Sequence, residues 1–165
     1  MKRLDDGTGR GFSYSDDVSA LEEYYEKQYK MIKAGNTDLA TLELVMLGNT
    51  LDFIHFARQS FGIVLDGSEK SVAVFDEVLD ALSRGIVQEN LFSHDGSDIA
   101  GNAAAYLGFV VIANVGGEWE DTENGTAVSV NGRTAYISEF VARRLMSGSK
   151  LNAEDYYKSI KIVKE

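Results

Sequence analysis

The chain has 165 residues, 44% hydrophobic and 25% charged, with 26 acidic against 16 basic side chains and a net charge of −10. That length suits one domain burying roughly 70% of its unfolded surface, and the composition excludes the disordered and membrane classes. The absence of cysteine excludes disulfides and thiolate metal sites and fits a reducing cytoplasm.

Residues 1–14 combine glycine and charge without periodicity and read as a disordered lead-in to a single domain over 15–165. No apolar segment follows Lys2 and Arg3, so no secretory signal is expected. From Ser15, the spacing of Val18, Leu21, Tyr25, Tyr29 and Ile32 predicts a helix stopped by Gly35-Asn36. Its acids favour the start and its lysines the end, as the helix dipole requires. A second helix from Thr37 or Asp38 sets Leu39, Leu42, Met46, Ile54, Ala57 and Phe61 on one side. Gly48-Asn49 marks a candidate break or bend in it. Ile63-Val64-Leu65 is an extended link, and Asp66-Gly67-Ser68 turns into a third helix capped by Ser68. Val72, Phe75, Leu79 and Leu82 form its buried stripe, Arg84-Gly85 its end, and Asn90 to Gly96 a loop.

A fourth helix from about Ser97 carries Ala100, Ala104, Gly108 and Val111 or Ile112 on one edge. Small residues four apart let another backbone approach, so this helix is expected at the centre of the fold. A glycine inside it costs about 1 kcal/mol, which close packing must offset. The apolar run at 103–115 is too short and glycine-rich to cross a bilayer. Two Asn-Gly pairs, Asn124-Gly125 and Asn131-Gly132, then predict a three-stranded antiparallel meander over about 118–137. Each pair supplies the positive φ angles of a type I′ turn. Trp119 and Asp121 alternate with Glu118 and Glu120, and Val128 and Val130 with Ala127 and Ser129, giving one inward and one wet face. Ser138 is expected to cap a fifth helix carrying Phe140, Val141 and Leu145 and closed by Gly148. Asn152 is expected to cap a last one carrying Tyr156, Tyr157 and Ile160. The fold class is therefore α+β, helices packed on a small meander in a single domain.

The charge is uneven: no Lys or Arg lies between Arg84 and Arg133, whereas that interval holds Glu118, Glu120, Asp121 and Glu123. Such a surface repels nucleic acid and anionic membrane and attracts a basic protein. Those four acids with Trp119 are the candidate partner-binding residues; Trp119 is equally suited to staple the first strand onto the fourth helix. His94, Asp95 and Asp98 are the candidate catalytic set, in a polar loop ahead of a helix. Turn and cap chemistry explains the same letters. His55 reads as a packed or surface histidine. Asp76 and Asp80, four apart, belong by helical spacing to the solvent side, and Arg143-Arg144 either clamps a carboxylate or is solvated. No metal or cofactor motif is present, and Thr8-Gly9-Arg10-Gly11 lacks the strand and the Gly-Lys-Ser/Thr ending of a phosphate loop.

Two blocks carry a resemblance. Leu65-Asp66-Gly67-Ser68-Glu69-Lys70-Ser71-Val72 leads to Phe75-Asp76-Glu77-Val78-Leu79, and Tyr106-Leu107-Gly108-Phe109 leads to Gly116-Gly117-Glu118-Trp119. Together they resemble a broad group of small bacterial α+β domains with an LDxSxxS helix, a YLGx…GGxW helix end and a short meander. That pattern prefers an acid where this chain has Phe109, and a proline after the last strand where this chain has none. The resemblance implies helices on a small antiparallel sheet and transfers no catalytic residue.

The functional expectation is a cytoplasmic, non-enzymatic, protein-binding domain with an acidic surface, for instance an immunity-type protein neutralising a basic toxin. Two alternatives stand beside it. One is a small hydrolase or metal-dependent enzyme at His94, Asp95 and Asp98; the other is a structural subunit or homodimer packing through Tyr156-Tyr157.

Overall fold

The computed structural model describes residues 12–14, 16–89, 95–123, 125–147 and 151–161, and for 85–89 and 95–98 the backbone only. Asp17 opens helix α1 (Val18–Lys33) by accepting the Ala20 N–H at 2.9 Å. A short 3-10 turn at Thr37–Leu39 follows, and Thr41 caps α2 (Leu42–Phe61) by accepting the Leu44 N–H. The chain continues through α3 (Ser71–Glu89) and α4 (Asp95–Asn114). The sheet follows, with β1 (Glu118–Thr122), β2 (Gly125–Val130) and β3 (Arg133–Ala135) in spatial order β1-β2-β3, antiparallel throughout. Helices α5 (Ile137–Ser147) and α6 (Ala153–Lys161) complete it. The α+β fold with its three-stranded meander is as the sequence predicts.

Helix α4 is the centre. Residues 103–107 and Val110 and Val111 are all buried, because the helix meets α2, α5 and β2 on different sides. Phe53 of α2, Phe75 of α3 and Tyr106 of α4 form an aromatic triangle with centroids 5.5–6.3 Å apart. Such pairs add about 0.5–1.5 kcal/mol each beyond area burial. The small-residue edge works differently from the expectation: what approaches Gly108 is the indole of Trp119, not a backbone, and any Cβ there would collide with the ring. Gly48 does the same for the Tyr25 ring of α1. That explains a glycine in the middle of α2, which runs unbroken through Gly48-Asn49.

The turn of 66–70 is locked onto α4. The Tyr106 hydroxyl accepts the Gly67 N–H at 2.8 Å and meets the Ser71 hydroxyl at 2.6 Å; the Asn114 amide donates to Gly67 O at 3.0 Å. Ser68 accepts the Ser71 N–H through both its carbonyl and its hydroxyl, so it does act at the start of the helix.

Several boundaries move. Phe12 and Tyr14, assigned by the sequence to the lead-in, are buried; Phe12 packs on Tyr24 and Tyr14 on Phe109. Helix α2 starts at Leu42 rather than Thr37 or Asp38, because Thr41 supplies the cap, and Phe61 at its end is exposed. Helix α3 passes Arg84-Gly85 to reach Glu89, and α4 starts at Asp95, two residues before Ser97. Residues 90–94 and 148–150 lie outside the described residues. In the meander, Asn131 (φ 54°) and Gly132 (φ 74°) make the expected tight turn. Gly125 instead pairs with Thr122 as the first residue of β2, at φ 108°, and Asn124 lies outside the described residues. Ala127 is fully buried, so the outer face is not wholly wet. Ser138 is inside α5 and donates to Thr126 O; Tyr136 accepts the first helical bond. Asn152 caps α6 as expected, accepting the Asp155 N–H.

Candidate functional site

The candidate catalytic set cannot be assembled from the described residues. His94 lies outside them, and Asp95 and Asp98 are placed only as backbone in the first turn of α4. The other histidine, His55, is half exposed on α2, with Nε2 2.5 Å from Glu22 Oε2 of α1. Among the described residues no three His, Cys, Asp or Glu side chains converge as metal ligands.

Asp76 overturns the expectation that it points to solvent, and of the two readings of Arg143-Arg144 the carboxylate clamp is the one Arg144 fills. Arg144 is 1% exposed and grips the Asp76 carboxylate through two bonds, Nε to Oδ1 at 2.9 Å and Nη2 to Oδ2 at 3.1 Å, and donates to the Asp76 carbonyl at 3.3 Å. Asp76 Oδ1 also accepts the Ala153 N–H at 2.9 Å, so one carboxylate joins α3, α5 and the start of α6. Asp80 stands 3.6 Å from the same guanidinium and also pairs with Arg84. The fork geometry suits a carboxylate, but every partner is structural, and Arg143 alone of the pair faces solvent. Arg144 Nη1 is buried with no hydrogen-bond partner among the described residues.

The acidic hairpin is the better candidate. Strand β1 is an edge strand, and Glu118, Asp121 and Glu123 are exposed on it and its turn. Glu120 is partly buried, near the Thr134 hydroxyl at 3.4 Å, and Asp121 receives the Thr126 hydroxyl at 3.3 Å. Trp119 does not belong to this surface. Its side chain is turned inward onto Gly108 and is only 9% exposed, so the stapling role is the one it fills.

A second acidic concavity was not foreseen. A cavity of about 540 Å³ between α1 and α2 is lined by Glu22, Glu23, Glu26, Asp52 and His55. Only long-range helix pairing brings these together; the i, i+4 spacing of Glu22 and Glu26 was the available signal.

Shifted ionisations elsewhere follow structural contacts. Burial pushes the Tyr106 phenol up to about 12, with the Ser71 and Gly67 hydrogen bonds pulling the other way. Hydrogen bonds from Ser68 hold Asp66 below the usual carboxylate range. Glu69 is lowered by the Tyr157 hydroxyl, 2.6 Å away, and then by Lys161. These groups tie the 66–71 turn to α4 and α6. Among the described residues no helix is long and apolar enough to cross a membrane. The chain matches no protein-family model, no curated protein and no solved structure.

Proposed function

We propose that the protein is a cytoplasmic, non-catalytic binding domain whose β1 edge receives a basic protein partner. The observation that carries this reading is an exposed acidic edge strand inside a stretch, 85–132, that contains no Lys or Arg. Opposite charge across such an edge raises encounter rates and selects the partner more than it deepens affinity. An immunity-type protein that neutralises a basic toxin is the concrete form: it needs a rigid acidic surface and no chemistry of its own. The rigid part is supplied by Trp119, which pins the strand to α4.

The test is capture of the partner from the native cell on immobilised protein, followed by titration with salt. The variant Glu118→Gln/Asp121→Asn/Glu123→Gln removes three charges without touching the core. The captured partner is expected to be basic, to release as salt rises, and to bind the triple variant at least tenfold more weakly. Binding indifferent to both salt and the variant refutes the reading.

A further inference from the structure

At the opposite sheet edge lies a groove of about 610 Å³ between β3, α5 and α6. Inside it the Phe140 and Tyr156 rings stack, with centroids 4.1 Å apart and planes 4° from parallel. Its charged lining is Arg133 and Arg143 against Glu139 and Asp155, a balance of two and two in a chain of net charge −10. The α1–α2 cavity, by contrast, has four acids and one histidine. Arg143, Glu139 and Asp155 make no ion pair among the described residues, so both signs are free to meet a complementary surface.

We propose that this groove seats a second copy of the chain about a two-fold axis, each protomer offering its β3 edge and Tyr136 to the other. Two chains of like net charge repel over most of their surface, and a charge-balanced patch is where they can close. A two-fold contact uses the same patch twice, so it must be self-complementary; a patch with two free acids and two arginines meets that condition, and a one-signed patch does not. Backbone geometry agrees. Val130 and Arg133 close the hairpin, which turns the peptide groups of Thr134 away from β2, and no strand among the described residues pairs with them. Thr134 thereby offers one donor and one acceptor to an added strand. Tyr136, 39% exposed at the rim, is the projecting apolar group. Because β1 is the other edge of the sheet, self-association here leaves the acidic surface open, and the two proposals stand or fall separately.

The experiment is sedimentation equilibrium of the full chain over a concentration series, for the native protein, Arg143→Glu, and Arg143→Glu/Glu139→Arg. Both positions are exposed on α5, so folding is retained and is checked by the thermal melt. The native chain is expected to dimerise, Arg143→Glu to weaken the dimer about tenfold or more because the like charges recur on both sides of the axis, and the double swap to recover most of that loss. A native chain that is monomeric throughout overturns the proposal, as does a dimer that ignores the single swap.

Discussion

The two edges of the sheet are held to the helical body by different physics. The β1 edge is fastened by apolar contact: one indole entering the space left by a missing side chain at Gly108. The β3 edge runs into α5 and α6, whose buried apolar faces are tied together by charge as well, through the Arg144–Asp76 fork and its bond to the Ala153 N–H. An apolar fastening has no titrating group and no charge for salt to screen. A buried ion pair is strong only while both members are present, since either one alone is a desolvated charge. The acidic β1 surface can therefore vary its charges freely, whereas the groove side depends on a fixed constellation.

Five outcomes test this contrast. Arg144→Ala strands Asp76 and should cost about 3–5 kcal/mol in urea unfolding; a loss below about 1 kcal/mol would show that the fork holds nothing. Tyr106→Phe, which belongs to neither fastening, removes the acceptor of the Gly67 N–H and should cost about 1–3 kcal/mol. The same phenol gives a pH signature. Its folded value of about 12 exceeds the unfolded value of 10.0, so its stabilisation is complete below pH 10 and is lost as pH rises from 10 towards 12. Melts of native protein and Tyr106→Phe should converge over that window; parallel curves would show that the phenol is not protected. Gly108→Ala forces the indole to shift at about 2 kcal/mol, of which helix preference returns about 1. A more stable variant would mean the ring is not seated there. Least of all, the β1 triple variant should change stability by under about 0.5 kcal/mol, while its partner binding collapses.

How much of this was legible in the sequence depends on the range of each signal. The meander, the Asn131-Gly132 turn, the Asn152 cap and the central place of α4 are local or strongly patterned, and they were readable. Gly48-Asn49 reads as a candidate break or bend because glycine is locally permissive; that Tyr25, from another helix, fills the space is a tertiary fact. Asp76 read as solvent-facing because Val72, Phe75 and Leu79 define the inner stripe. It lies at the border of that stripe, where Arg144, 68 residues later, turns it inward. Gly85 gave no warning that α3 would continue. Of the candidate sites, the acidic β1 edge was visible as a charge pattern. The groove beside β3 was not, because it is built from three elements whose charged residues are unremarkable one by one.

Helix α1 has consequences for how the molecule opens. Leu21 is its one fully buried side chain; Val18, Tyr24 and Ile32 are only half-buried, and the Tyr25 ring over Gly48 and the Glu22–His55 contact are among its holds on α2. So few buried contacts place it at the low end of the local opening scale. Its amides should exchange with deuterated solvent well before those of α4, and brief proteolysis should cut first around 34–41, releasing the amino-terminal helix while the sheet and its supporting helices persist.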